Sequence, residues 1–160
     1  MMRTRIDERW QELLALLDGL DAVGIERPLG DGWTVKVHVA HITAWERSLL
    51  GILKKGSRAD AMGVPGDLWQ GHDTDAINAF LAARARGERA EAIREQLLET
   101  HAELTGVLRG LTDEDVALPY SAYQPHDPPS NANPVSGWIA GNTWEHYEEH
   151  IGWLRAGLEP

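Results

Sequence analysis

Apolar side chains return at steps of three and four through four separate stretches of this sequence, and no stretch alternates with a period of two. That pattern fits long amphipathic helices and leaves no candidate strand. The first stretch carries Ile6, Trp10, Leu13, Leu14, Leu17 and Leu20 and predicts a helix from Arg5 to about Leu20. Gly24, Pro28, Gly30 and Gly32 then predict a loop over Asp21 to Trp33. Thr34 is placed to cap a second helix running to about Lys55, with Val35, Ile42, Trp45, Leu49 and Ile52 on its stripe and Lys54-Lys55 against the dipole at its end.

Gly56 to Asp73 reads as a connection with a short turn around Asp67 to Gln70; a link of that length usually has a function, often lining or covering a pocket. Helical pattern resumes at Thr74 with Ile77, Phe80 and Leu81 and breaks near Gly87. A long third helix follows, its inner face made of Ile93, Leu97, Leu104, Val107, Leu108 and Leu111. Thr112 opens a polar linker, and five prolines between Pro119 and Pro134 exclude regular helix there. The fourth helix is expected from about Val135 to Leu158. The fold class is therefore all-α, a four-helix bundle with long irregular connections, as one domain over residues 1–160. Two hairpins that complete their core in a dimer satisfy the same pattern.

Charge narrows the partners. Twenty-five acids against fifteen bases give a net charge of −10, and no basic run exceeds Lys54-Lys55, so no nucleic-acid partner is expected. No segment has the apolar length of a membrane span and the first residues lack a signal-peptide core, so no membrane partner and a cytoplasmic location are expected. With no cysteine, any transition-metal site must use His, Asp or Glu.

His146 and His150 stand four residues apart in the last helix, which puts two imidazoles on one face. Asn142 and Trp138 fall on the same stripe at successive earlier turns. Such a pair is half of a metal site, and His41 in the second helix is the candidate third ligand. Three imidazoles suit a divalent ion, zinc or nickel, and leave a position open. The plainer reading is that His41 is a hydrogen-bonded core residue and that the i, i+4 pair is coincidence in a chain with seven histidines.

The run Trp33-Thr34-Val35-Lys36-Val37-His38-Val39-Ala40-His41-Ile42-Thr43-Ala44-Trp45-Glu46 resembles the second-helix signature of the DinB-like superfamily, and Asn142-Thr143-Trp144-Glu145-His146-Tyr147-Glu148-Glu149-His150 resembles its last helix. The resemblance spans most of the chain, though only these two motifs are specific. It implies that His41, His146 and His150 are ligands of nickel or zinc. The superfamily includes mycothiol-dependent maleylpyruvate isomerases, bacillithiol transferases and colibactin-resistance relatives of the ClbS/DfsB type. The last group commonly lacks the second His of the final pair, so His150 favours the metal-binding branches.

Around the triad, Asn142, Trp45, Trp138 and His38 are the pocket and second-sphere candidates, with His38 expected half-exposed at a helix start. Glu145 and Glu149 flank the ligands and are expected to be solvated, paired with Arg155 or lysines. His72 and His126 are read as loop histidines and His101 as a packing residue. Trp10, Trp45, Trp138, Trp144 and Trp153 are expected to be mostly core, with Trp33 and Trp69 as pocket walls. No residue stands out as a nucleophile, so catalytic residues are not assigned. The functional expectation is a metal-dependent enzyme, a low-molecular-weight-thiol S-transferase or a hydrolase, acting on a small-molecule electrophile, with the thiol as a second cofactor and a homodimer compatible. The alternatives are a non-catalytic ligand-binding or stress-response protein and a purely structural one.

Overall fold

The computed structural model describes residues 1–30, 32–125 and 132–158. The expectation for His126 falls outside them. In chain order the helices are α1 Met2–Asp18, α2 Ala22–Ile25, α3 Val35–Leu53, α4 Arg58–Met62, α5 Gly66–Gln70, α6 Thr74–Arg86, α7 Ala90–Arg109, α8 Asp113–Ala117, α9 Tyr120–Tyr123, α10 Val135–Gly141 and α11 Trp144–Leu158. Among the described residues the β-type pairings are two isolated bridges, Pro28 with Thr34 and Pro119 with Pro134.

Sixteen of the nineteen residues of α3 are buried, which makes it the central helix. A helix covered all round needs neighbours on every side, and α3 has them in α7, α4, α6 and α11. The main core joins Ile6, Leu13 and Leu17 of α1, Val35, Val39, Ile42 and Leu49 of α3, Leu97 and Leu104 of α7, and Tyr147, Ile151 and Leu154 of α11. Four long helices of one chain thus share one interior, the four-helix bundle that the stripes predict. A smaller cluster of Ala44, Met62, Val64, Ile77 and Leu81 seats α4 to α6 on the other side of α3.

The segments predicted as loops hold single helical turns, and the sequence supplies their caps. Asp21 accepts from Gly24 N–H, Ser57 from Asp60 N–H, and Thr112 forms a reciprocal capping box with Asp115. Gly63 closes α4 at φ 66, a left-handed position that suits glycine. Gly51 lets α4 lie close on α3, because a Cβ there would stand 3.1 Å from the Arg58 Cα and from the Ser57 carbonyl oxygen.

Thr34 caps α3 as expected, its hydroxyl accepting from Val37 N–H at 3.3 Å. Thr34→Ala is expected to cost about 1 kcal/mol of stability, read as a lower urea midpoint at unchanged slope; an unaltered midpoint would count against the cap. Lys36, buried behind it, pairs with Glu26 at 2.7 Å and donates to the Glu88 carbonyl at 3.0 Å.

The fourth helix is not continuous. Asn142 and Thr143 form a turn between α10 and α11, with Asn142 at φ −110 and ψ 8. Asn142 Nδ2 donates to the Trp138 carbonyl at 2.8 Å and Thr143 Oγ1 to that of Ile139 at 2.5 Å. Polar side chains that bind nearby carbonyls compete with the helical ladder and bend it. Trp153 also departs from expectation: it is 46% exposed, a wall at the surface rather than core.

Candidate metal centre

The first two turns of α3 and of α11 bring His41, His146 and His150 together. One ring nitrogen of each lies within 4.8 Å of the others, a group that could hold a metal ion. His146 Nε2 and His150 Nε2 are 3.0 Å apart. Two nitrogen ligands of a tetrahedral zinc stand about 3.3 Å apart at the usual bond length of about 2.05 Å, so the pair is already near the separation an ion requires. The ring centroid of His41 lies 5.1 Å from that of His146 and 5.0 Å from that of His150. Burial pushes the imidazoles well below their ordinary value of about 6.5: His41 to about 3, His146 to about 4, and His150 further down. For His41 and His150 the neighbouring rings add to the depression. The rings are therefore neutral near pH 7, the state in which imidazole ligates.

His38 is fully buried, not half-exposed, because α11 and the segment before α3 cover the helix start. Its Nδ1 meets His150 Nδ1 at 2.8 Å. One of the two must donate. If the Nε2 lone pair of His150 is kept for an ion, His150 donates from Nδ1 and His38 accepts. With an ion on His150 Nε2, His38 would thus fix the tautomer of His150, as outer partners of metal-ligating histidines do. The indoles of Trp33 and Trp153 pack on these rings, Trp33 against His38 and His41 and Trp153 against His150, at centroid distances of 4.9–5.2 Å. The buried Nδ1 atoms of His41 and His146 have no hydrogen-bond partner among the described residues. The donor set, three neutral nitrogens with no thiolate in reach, fits zinc or nickel.

A cavity of about 800 Å³ opens over His41 and His146. Trp45 of α3, Trp138 of α10 and Asn142, the residue that ends α10, line it, so the stripe expected to run from Trp138 through Asn142 to His146 is broken at Asn142. Arg58, Thr74, Asn78 and Ser136 complete its polar side. A second, apolar cavity of about 760 Å³ lies behind His38, between Leu29, Trp33 and Trp153. His72 is exposed and lines neither cavity. Glu149 is exposed, and Arg155 pairs with Glu12 of α1 at 2.8 Å instead of with Glu145 or Glu149.

One polar cluster escaped the sequence reading. Glu46 is fully buried, and its Oε1 accepts from His101 at 2.9 Å and from the Tyr147 hydroxyl. Trp10 stacks on His101 at 3.5 Å between ring centroids, so all four long helices meet at this point. Burial raises the Glu46 carboxyl, and burial beside Glu46 raises the Tyr147 hydroxyl. The signal was available: Glu46 stands one turn after Ile42 on an apolar stripe, and His101 one turn after Leu97. Arg58 and Asn78 carried none, since they reach the cavity only through the packing of α4 and α6 on α3.

A family model described as the DinB superfamily matches residues 5–150. Among solved structures, an uncharacterised protein from Escherichia coli UTI89 superposes with a TM-score of 0.75 at 17% identity, over 98% of this chain and 90% of that one. DfsB, described as a sibling lethal factor precursor, gives 0.70 at 14% identity, over 96% and 90%. The colibactin self-resistance protein ClbS, solved in complex with a dsDNA, gives 0.69 at 16%, over 96% and 91%. At these identities the likeness is one of fold. A search of the curated proteins finds no match.

Proposed function

The chain belongs to the DinB superfamily, and from that premise we propose that it is a divalent-metal-dependent enzyme acting on a small electrophile, with His41, His146 and His150 as the ligands. The observation that carries the reading is the convergence of three neutral imidazoles beside a cavity of small-molecule size. When bound, a zinc or nickel ion would supply Lewis acidity, lowering the pKa of a thiol or a water so that it attacks near neutral pH. The protein's share is positional: His38 sets the tautomer of His150, while Trp33 and Trp153 keep water from the far side of the rings. No Asp or Glu is among the described lining residues, which favours a nucleophile activated at the ion over one activated by a carboxylate. A low-molecular-weight thiol as co-substrate makes the enzyme an S-transferase, and water in its place makes it a hydrolase. The protein works in the cytoplasm, as a monomer or homodimer; among the described residues no helix is long and apolar enough to cross a membrane. The dsDNA is a ligand of ClbS, and the net charge of −10 weighs against the same partner here.

Capture without turnover is the second reading, favoured by the fold shared with a self-resistance protein and by the Trp45 and Trp138 walls of the cavity. Protein expressed in medium supplemented with zinc and nickel is expected to carry about one ion per chain. Chelation should lower its melting temperature and re-addition restore it, by about 5–10 °C at a hundredfold excess over Kd. Metal-free protein from supplemented medium, with no shift on addition, would sink the reading. Turnover of thiol or water by the loaded protein separates enzyme from binder.

A further inference from the structure

We propose that the cavity over the three-histidine group takes a small organic anion, a carboxylate-bearing molecule with an apolar body, whose charged end is held by Arg58. The proposal deepens the functional reading above by naming the class of substrate, and its anion contact stands apart from whether a metal is bound.

The lining argues for the charge. The chain carries twenty-five acids and fifteen bases, yet no Asp or Glu is among the described residues around this cavity, while one guanidinium is. Some sheltered cations of the molecule meet a carboxylate, Lys36 with Glu26 and Arg84 at 3.9 Å from Glu88, whereas half-buried Arg47 donates to Thr100 and Gln96, away from this cavity. Arg58 has no ion pair among the described residues. It is held by neutral groups alone, its Nε donating to Ser48 Oγ at 2.9 Å and its Nη1 to the Tyr120 hydroxyl at 3.2 Å. Its guanidinium carbon lies 4.9 Å from the ring centroid of Trp69. Two hydrogen bonds and an aromatic face fix the plane of the group, while Nη2 makes no hydrogen bond to a described residue. A fixed guanidinium with donors to spare suits a carboxylate, which it can take through two N–H groups at once.

The backbone behind it is equally set. Gly51 allows α4 to seat on α3, and that contact places the Arg58 Cα. The walls argue for the apolar body. Trp138 stacks on Tyr120 at 4.3 Å, so the ring that anchors Arg58 also backs one wall. Trp45 forms another, tied through its Nε1 to Asn78 Oδ1 at 3.3 Å. A volume of about 800 Å³ holds a small molecule and excludes a folded partner. A cationic ligand would meet Arg58 with no compensating acid in the described lining.

The test is calorimetry with paired probes of one shape, phenylacetate against phenylacetamide and 3-phenylpropionate against 3-phenylpropionamide, on zinc-loaded and on chelated protein. The acids are expected to bind about tenfold or more tightly than their amides, in both forms. Arg58→Gln should lose that preference while keeping its zinc, and Arg58→Lys should keep part of it. Equal binding of acid and amide overturns the proposal, as does a preference that survives Arg58→Gln, and so does the absence of binding by all four probes. An acid preference that vanishes on chelation yet persists in Arg58→Gln puts the anion on the ion and also overturns it. Failure of the wild-type protein to take up zinc sinks the metal reading alone, because the preference is read in chelated protein as well. Should Arg58→Gln not fold, Arg58→Lys and the acid–amide comparison in the wild type decide.

Discussion

Replacing His150 by alanine is expected to reduce the zinc or nickel content of the purified protein from about one ion per chain to none. His150 is the centre of the cluster: its Nε2 faces His146 at 3.0 Å, its Nδ1 meets His38 at 2.8 Å, and its ring lies 5.0 Å from that of His41. Truncation leaves two nitrogen donors, and a two-ligand site of neutral imidazoles does not hold zinc against buffer and chelator. It also takes from His38 its bonded partner and opens a void beside Trp153, so the metal-free variant should lose about 2–4 kcal/mol of stability. Elemental analysis with a melt of the chelated protein reads the two effects separately. An alanine variant that retains one ion per chain would remove His150 from the ligand set and with it the proposed centre.

The second large effect is an acid response of the metal-free protein that begins above the range of carboxylates. The folded chain holds His41 at about 3 and His146 at about 4, with His150 further down, whereas an unfolded chain takes up these protons near 6.5. The unfolded state therefore binds more protons as pH falls below about 6.5. Stability is full above that value and declines toward pH 4, where His146 alone accounts for on the order of 3 kcal/mol. Glu46 has the opposite sign. Its raised carboxyl favours the folded state as pH falls and offsets part of the loss. The net slope remains that of three imidazoles against one carboxyl. Urea midpoints of chelated protein at pH 7.5, 6.5, 5.5 and 5 should fall steadily below 6.5, while zinc-loaded protein should hold its midpoint further down, because the ion competes with the protons. A midpoint level from 7.5 to 5 would mean that the rings are hydrated or already protonated in the folded chain.

Much of the architecture could be read along the chain. The stripes of Ile6 to Leu17 and of Ile93 to Leu108 became the inner faces of α1 and α7, and Thr34 became the cap that begins α3. These are local matters, set by side-chain period and by the hydrogen bonds a hydroxyl offers to the next turn. One departure was local too, where two local rules compete. Between Val135 and Leu158 the apolar period continues through Asn142 and Thr143, but both side chains bind carbonyls one turn back, and the helix breaks there.

What the sequence by itself determined is the helical class, the cap that begins α3 and the identity of the imidazoles on one face of α11, because each depends on residues within a few turns of one another. Only the tertiary structure decided that His38 is sealed against His150, that Glu46 is closed in by His101 and Tyr147, and that Arg58 shares a cavity with His41 and His146. Each of these joins residues from different helices, and their meeting is fixed by how volumes pack across the bundle, an interaction between distant segments that no spacing along the chain encodes.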